Sequence, residues 1–542
     1  MSGKQHGPSL LRQYSILEYF SMKCDVLNLP LRLRQRPPRL ASLWLLAGFL
    51  ALALLASCGG GGVGTNGTGA ANQGVASGTV TGFGSVVVDG VHFDDSTATV
   101  KAARSAADDS AGGVKSEVKL GQQLSFSFSG SVQGKGVAQN ITLLPTFIGQ
   151  ASVYSVGTSG SSIRVLGLAV NINTDPLQGP VTVIDESVDP TSSLSPGSRV
   201  EVHAIQGANG LVATRIEESL ATGDMARGIV KVVPSTSPSA RIGDLLVDLT
   251  AVSKNQTKDY KALALGQNVA VFGSYDSSKA QFVATRLHID SAPVTSKVDD
   301  YLGGYITGLD SIKQTFAVNG VTVDYANTNL NSSVSLKDGF YVRVRGVSVA
   351  TTSGAVFKAS SVSLRKDENL SSGGDAELIG NILSYVKAVE TSTTKQPATF
   401  SVRSVQVTVP LTLVPDFKSC SGSTELGNGM YVQVKGNTTA AGVDATSIKC
   451  DVEPTTAGTT VERVGTVVGS LPSTNTASAG TFQLAVSAQT TIKVSYDSLT
   501  YFRSRSPKDG TELILDMPLD VEGVFSGSGD TLVLRATKIK KE

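Results

Sequence analysis

The sequence predicts an all-β protein with about six tandem, roughly five-stranded, β-barrel-like domains after an N-terminal signal helix. Two observations predict this class. After residue 57 the chain is rich in Val, Thr, Ser and Gly, which are the residues of strands and turns. The same short motifs also return six times along the chain, so one small unit is repeated.

The first 57 residues have the features of an export signal. A basic stretch precedes an apolar run from Leu40 to Ala56. The run ends in Leu55-Ala56-Ser57-Cys58, followed by four glycines, and this resembles a bacterial lipobox. We therefore expect a lipoprotein signal peptide at 1–57 and lipidation, of the palmitate type, at Cys58. An uncleaved N-terminal membrane anchor is the alternative, and Met22 is a second candidate for the true start.

Lipidation would attach the mature chain to a membrane, since each buried methylene of an acyl chain contributes about 0.8 kcal/mol. By resemblance to the lipoprotein class, Gly59 favours the outer membrane, on either its periplasmic or its cell-surface face. Residues 1–57 carry seven Lys/Arg and two Asp/Glu, so a net charge of +1 for the whole chain leaves about −4 for the mature part. This acidic balance argues against nucleic acid as a partner.

Six copies of one unit follow a Gly-rich tether at 58–76. Each copy opens with a glycine and a branched residue, as in Gly78-Thr79-Val80, and closes with an alanine, a polar pair and a branched residue. A Leu–Gly segment with alternating apolar residues comes before the closing motif. These marks place the repeats at 77–144, 147–218, 222–291, 301–366, 375–453 and 461–542.

Each repeat is also expected to contain a hairpin and to form a small barrel. Asp89-Gly90 and Asn319-Gly320 separate β-branched runs, and such pairs suit type I′ turns. Alternation of period two gives roughly five strands per repeat, each with one apolar face, which a sheet of this size hides by curling into a barrel or folding as a sandwich. We expect separate domains, like beads on a string, which could extend on the order of 150 Å; packing of units on their neighbours is left open.

Together these motifs resemble a bacterial domain of unknown function that occurs in tandem in Gram-negative cell-envelope lipoproteins. The resemblance is carried by Gly78-Thr79-Val80, by the run from Gly84 to Asp94, by Leu120-Gly121 and by Ala138. It implies a small β-barrel and an envelope location. It implies no activity and no catalytic residue.

Cys420 and Cys450 lie in the fifth repeat and are the only cysteines that follow Cys58. In an oxidising compartment we expect them to form a disulfide. A redox or metal-binding pair is the alternative. It lacks both the C-x-x-C spacing and a nearby histidine.

The three histidines of the mature chain, His92, His203 and His288, lie in alternating strands of three different repeats. Their sequence neighbours are apolar, so we expect the imidazoles to face solvent. Their separation along the chain predicts no metal site. The sequence also has no G-x-S-x-G elbow and no complete phosphate loop, so we expect no catalytic residue and no cofactor.

The leading hypothesis is a non-catalytic, membrane-anchored envelope lipoprotein that acts as a scaffold or presents a binding surface. The alternative is a glycan- or peptide-binding module that uses a strand face of the small barrels. Its candidate ligand-binding residues are Tyr305 and Tyr341, because tyrosines are concentrated in the fourth repeat and the mature chain has no tryptophan. Besides the membrane, the expected partner is an envelope protein or a glycan.

Overall fold

The computed structural model describes residues 73–542, apart from 131–135, 158–159, 176–177, 186–187, 189–197, 291–299, 329, 331–334, 352–353, 366–374, 392–393, 421, 454–459, 487–489, 504–505 and 528–531. The predicted signal peptide, Cys58 and the predicted tether up to residue 72 lie outside the described residues. The first strand begins at Gln73, ahead of the predicted start of the first repeat. Within the described part of the chain, no helix has the length and apolar character to cross a bilayer.

The first three repeats each contain five principal strands, with short elements between the third and the fourth. The first repeat comprises β1 (Gln73–Phe83), β2 (Val86–Val88), β3 (Val91–Asp94), β4 (Thr99–Ala102), α1 (Ala106–Ser110), β5 (Val114–Lys115), β6 (Gln123–Ser129) and β7 (Gly136–Leu143). The second comprises β8 (Phe147–Gly157), β9 (Gly160–Val165), β10 (Leu168–Ile172), β11 (Val183–Ile184), β12 (Arg199–Gly207) and β13 (Gly210–Glu218). The third comprises β14 (Asp224–Val232), β15 (Ser239–Ile242), β16 (Leu245–Asp248), α2 (Thr250–Asn255), α3 (Thr257–Ala262), β17 (Asn268–Asp276) and β18 (Gln281–Ile289).

The last three repeats follow the same plan. The fourth comprises β19 (Asp300–Asp310), β20 (Thr315–Val318), β21 (Val321–Asp324), β22 (Tyr341–Thr351) and β23 (Gly354–Leu364). The fifth comprises β24 (Ala376–Asn381), β25 (Leu383–Val386), β26 (Val389–Glu390), β27 (Lys395–Gln396), β28 (Ala398–Val402), β29 (Val405–Val409), β30 (Tyr431–Thr438) and β31 (Val443–Cys450). The sixth comprises β32 (Thr460–Val468), β33 (Gly480–Ala485), β34 (Thr491–Tyr496), β35 (Tyr501–Phe502), a 3₁₀ turn (Gly510–Glu512), β36 (Pro518–Ser526) and β37 (Val533–Lys541).

Each repeat closes into a barrel with the same connectivity. In the first repeat, β1 pairs antiparallel with β2 and β6, β2 with β3, and β6 with β7. Parallel pairing of β3 with β7 closes the barrel. The same parallel closure joins β10 to β13, β16 to β18, β21 to β23, β29 to β31 and β34 to β37. The strand order first, second, third, fifth, fourth describes a five-stranded Greek-key barrel, an architecture shared by oligonucleotide/oligosaccharide-binding folds, and the predicted fold class is confirmed.

Close packing of hairpin side chains explains the glycine that opens the first, second and fourth repeats. Gly78 lies in β1 beneath the turn between β2 and β3, and a Cβ atom there would fall 2.2 Å from Asp89 Oδ2. The equivalent Cβ atoms in the second and fourth repeats would fall 2.4 Å from Leu166 Cδ2 and 2.6 Å from Val318 Cγ1. Glycine therefore allows the hairpin to fold closely onto the first strand.

Contacts between repeats join the barrels, which contradicts the expected beads on a string. Strand β1 pairs in parallel with β19 of the fourth repeat and with β24 of the fifth, and β8 pairs antiparallel with β14 across the second and third repeats. The described chain from Gln73 onward forms one compact unit. Sequence alternation shows which face of a strand lines its own barrel, but it does not show that another barrel covers the opposite face.

The predicted disulfide is present in the fifth repeat, where Cys420 and Cys450 are bonded with Cα atoms 5.9 Å apart. Cys450 is fully buried at the end of β31. Cys420 lies in the long loop between β29 and β30. The bond therefore fixes this loop to the last strand of its barrel.

Replacing both cysteines by serine should lower the free energy of unfolding by about 3–4 kcal/mol, because the bond closes a loop of 30 residues and the chain-entropy model gives this value. Urea denaturation followed by the fluorescence of a tryptophan introduced into the fifth repeat would measure the loss. A reductant should lower the free energy of unfolding of the wild type by the same amount and should not change that of the double variant. An equal midpoint for wild type and double variant would contradict the prediction.

Candidate functional site

The first repeat contacts every other repeat, and its charged and polar side chains carry many of these contacts. The fourth and fifth repeats meet it through the strand pairings of β1, and Val75 N–H also donates to Asp300 Oδ1 at 2.9 Å. Side-chain contacts to the second, third and sixth repeats are Arg104 with Glu201, Asp109 with Arg286, and the Ser96 carbonyl with Arg535. The first barrel is thus the common neighbour of the other five.

The second repeat places Glu201, His203 and Glu217 together against the first repeat. Their candidate metal-ligating atoms lie within 4.8 Å of one another, and all three residues are buried. This corrects the expectation that His203 faces solvent. The physical reason is that the first barrel covers the outward face of β12. Strand pairing of β12 with β13 brings the three residues together, although their spacing in sequence matches no metal motif.

Protein groups already engage the ring nitrogens of His203. Its Nδ1 accepts the backbone N–H of Gln123 at 3.1 Å, so we assign the proton to Nε2, which donates to Glu201 Oε1 at 3.1 Å. Glu201 also accepts two hydrogen bonds from the Arg104 guanidinium. Burial disfavours its charge, but the His203 hydrogen bond and Arg104 outweigh burial and lower the pKa of Glu201.

Two further cations neutralise Glu217. Its carboxylate pairs with Lys119 of the first repeat and with Arg215 of its own strand, and it accepts a hydrogen bond from Gln122 at 3.3 Å. Burial would raise the pKa of Glu217, but the charges of Arg215 and Lys119 hold it well below its usual range. A metal ion would have to displace these cations. The cluster therefore has the chemistry of an ion-pair contact between two repeats.

The other two histidines also lie at contacts between repeats. His92 Nε2 lies 3.2 Å from Glu377 Oε2 of the fifth repeat, and His288 Nδ1 lies 2.9 Å from Asp109 Oδ1 of the first. Their side chains are 36% and 47% exposed, respectively. Both rings reach solvent in part, as expected, while one nitrogen of each is held by a carboxylate of a neighbouring barrel.

Tyr305 and Tyr341, the candidate ligand-binding residues, are buried and do not lie on an exposed strand face. They are 5% and 3% exposed, respectively. Their rings pack edge to face at 5.1 Å in a cluster with Ile205 of the second repeat. Tyr341 Oη also donates to Asp89 Oδ1 of the first repeat at 2.7 Å. Both tyrosines stabilise contacts between repeats, because barrels distant in sequence cover the face on which they lie.

A second charged cluster joins the fifth and sixth repeats. The backbone N–H of Arg403 donates to Glu462 Oε2 at 2.9 Å, and the Arg403 guanidinium pairs with Glu522, which also binds Lys538. Burial opposes the charge of Glu522, but Arg403 and Lys538 lower its pKa to about 2. Burial and the nearby Asp520 charge raise the pKa of Glu462 to about 8. Glu462 is therefore largely protonated at neutral pH.

Replacing Glu462 by glutamine should flatten the dependence of stability on pH. The folded pKa of Glu462 is raised above 4.5, so its stabilising contribution is complete below about pH 4.5 and is lost as pH rises towards 8, at about 1.4 kcal/mol per pH unit. Glutamine keeps the acceptor for the Arg403 N–H without the charge. Urea denaturation at pH 5 and pH 8 should show a variant more stable than wild type at pH 8 only. Exposed Glu218→Gln is the control, and parallel pH profiles for Glu462→Gln and wild type would contradict the prediction.

The fold and these contacts define a chain of closed five-stranded barrels packed around the first barrel. The model of a family described as a domain of unknown function (DUF5666) matches residues 152–217 and 303–360, so the chain contains two copies of that domain, in the second and fourth repeats. No curated protein matches the chain by sequence. Among solved structures, "drosophila Unr CSD456" is 13% identical, with 46% of this chain and 99% of that chain covered and a TM-score of 0.14. At that TM-score the similarity adds nothing to the fold given by the strand pairings.

Proposed function

We propose that this protein is a non-catalytic envelope lipoprotein that holds one fixed assembly of β-barrels at a membrane and presents its surface to an envelope protein or a glycan. The observation that carries the proposal is the contact of the first barrel with all five others. Such contacts fix the barrels relative to one another, which suits the presentation of a surface. A long spacer would have its barrels in line instead.

The buried polar groups support a structural role. In the part of the chain that the structure describes, the cluster of Glu201, His203 and Glu217 uses its ligating atoms for hydrogen bonds and ion pairs across a repeat contact. A general base or metal ligand needs a free lone pair at the reacting position. The two tyrosines that supported glycan binding are buried, so a glycan-binding role for them is not proposed.

Membrane attachment follows from the lipobox-like sequence at Cys58. Replacing Cys58 by serine removes the thiol that would carry the lipid, so the variant should lose the acyl chains that would supply the affinity of the mature protein for the bilayer. Fractionation with metabolic palmitate labelling would measure this change. Cys24→Ser, which alters a cysteine before the apolar run, is the control. A Cys58→Ser protein that still incorporates palmitate would contradict lipidation at Cys58.

A further inference from the structure

Two adjoining cavities lie where the first repeat meets the second, fifth and sixth repeats. Their volumes are about 230 Å³ and about 200 Å³. Phe83, Glu117, Val118 and Arg403 line both cavities. These four side chains come from the first and fifth repeats, so the cavities exist only because the barrels pack together.

Three lining residues, Arg403, Glu117 and Arg215, have buried side-chain atoms without a hydrogen-bond partner, and Arg403 has two such atoms. Its side chain lies over the ring of Phe83, with Cζ 5.6 Å from the ring centroid, and its Nη2 pairs with Glu522. Its Nε and Nη1 atoms are buried and have no hydrogen-bond partner within the protein. Buried donors without an acceptor are costly and rare. The guanidinium therefore holds two donors without a protein acceptor in a residue that lines both cavities.

The charged side chains that line the two cavities indicate that the ligand is negatively charged. Eight basic side chains and four acidic ones line the two cavities, in a chain whose total net charge is only +1. Several of the basic groups have acidic partners, and the Lys115 ammonium donates to the Thr500 carbonyl at 3.2 Å. Desolvation lowers the pKa of Lys115. An anion bound here would pair with the buried Arg403 guanidinium.

The larger cavity also has apolar walls, beside hydroxyl groups such as those of Ser116 and Thr537. The larger cavity is bounded by Phe83, Ala98, Val100, Val118 and Leu499. A cavity of about 150 Å³ holds benzene, so 230 Å³ suits a molecule with on the order of ten non-hydrogen atoms.

We propose that these cavities bind a small organic carboxylate, with its anionic head at Arg403 and its apolar part against Phe83 and Val118. Carboxylate oxygens are the acceptors that match guanidinium donors, with strong charge-assisted hydrogen bonds. The site goes beyond the proposed envelope role and is independent of lipid attachment, because it requires only the packing of the repeats.

Calorimetric titration of the full-length Cys58→Ser protein with straight-chain carboxylates from butanoate to octanoate tests this proposal. One molecule should bind per chain, and affinity should rise about fourfold per added methylene until the apolar part is filled. The corresponding primary amides keep the shape without the charge and should bind at least about tenfold more weakly. No saturable binding of any carboxylate, or equal binding of amides and carboxylates, would overturn the proposal.

Ala98→Leu places three more carbon atoms in the larger cavity and leaves every charged contact in place. It should abolish octanoate binding, whereas Ala169→Leu, at an exposed position of β10, should leave binding unchanged. Equal unfolding midpoints of the two variants would show that the loss does not come from misfolding. Octanoate binding that survives Ala98→Leu would place the ligand elsewhere and overturn the assignment of the site.

Discussion

Replacing Gly82 by alanine is expected to weaken the contact between the first and fifth repeats without touching either barrel core. Gly82 pairs with Glu377 where β1 meets β24, and a Cβ atom on it would fall 2.0 Å from the Glu377 carbonyl oxygen. A backbone oxygen cannot move aside as the end of a side chain can. The two strands must separate, so we expect a loss of about 1–3 kcal/mol in the free energy of unfolding.

Urea denaturation of Gly82→Ala beside Gly427→Ala measures this loss. A Cβ atom at Gly427 would meet no heavy atom within 4 Å, so that variant reports the effect of the glycine-to-alanine change alone. We also expect faster amide hydrogen exchange in β24 of Gly82→Ala, because its pairing with β1 is disturbed. Equal stability of the two variants would mean that β1 and β24 do not pair in solution.

Replacing Tyr341 by phenylalanine is expected to lower the free energy of unfolding by about 2–4 kcal/mol. Tyr341 Oη donates to Asp89 Oδ1 at 2.7 Å, and the Thr79 N–H donates to Asp89 Oδ2 at 3.3 Å. Asp89 is fully buried. Without the phenol hydroxyl, one oxygen of a buried carboxyl loses its side-chain donor, and the contact between the first and fourth repeats is weakened.

The pH dependence of this loss has a definite sign. Burial already raises the pKa of Asp89, and the hydrogen bond from Tyr341 opposes that rise. The variant should therefore have a higher pKa for Asp89 than wild type, so its deficit should be larger at pH 8 than at a pH that protonates the carboxyl. Denaturation at a series of decreasing pH values from pH 8 measures the difference. A deficit that grows on acidification would contradict this account.

Two further variants distinguish the effect of the buried Asp89 charge from the effect of losing a tyrosine hydroxyl. Tyr496→Phe removes a hydrogen bond of 2.9 Å to the neutral Thr476 carbonyl and should cost only about 1 kcal/mol. Asp89→Asn copies Asn319, which occupies the same turn position in the fourth repeat and donates to the Gly303 carbonyl at 3.2 Å. In the Asp89→Asn background, Tyr341→Phe should cost less than in wild type.

The features that could be predicted from the sequence are those fixed inside one barrel. Asp89-Gly90 and Asn319-Gly320 form hairpin turns with positive φ at both residues, as their sequence requires. The glycine of the Leu–Gly segment has φ +80° at Gly266, and its N–H donates to the Val230 carbonyl of the first strand at 2.9 Å. These local contacts recur in most repeats and so leave a repeated mark in the sequence.

The sixth repeat lacks the glycine of the Leu–Gly segment, and the structure shows what replaces it. Asp516 takes the place of the Leu–Gly glycine there, with φ +62°. Its N–H still donates to the first-strand carbonyl of Val467 at 2.9 Å. Aspartate tolerates the left-handed conformation better than most residues, so the hydrogen bond is kept although the sequence mark is lost.

The candidate site could not be predicted because it depends on contacts between barrels. His203 and Tyr341 alternate with apolar residues, and alternation places them outside their own barrel core. That rule does not say whether solvent or another barrel lies there. The buried pairing of Tyr341 with Asp89 links residues 252 positions apart, and neither residue carries a local signal for its partner.

Cross-linking mass spectrometry between the first and sixth repeats tests most directly whether the first barrel is the common neighbour of all others. Lys115 Nζ donates to the Thr500 carbonyl of the sixth repeat, and the Arg535 side chain reaches the Ser96 carbonyl of the first. With a short lysine-reactive reagent on monomeric protein, we expect an intramolecular cross-link between exposed Lys115 and Lys541. Six barrels in line would hold these lysines on the order of 100 Å apart. Cross-links confined to sequence-adjacent repeats would contradict the account.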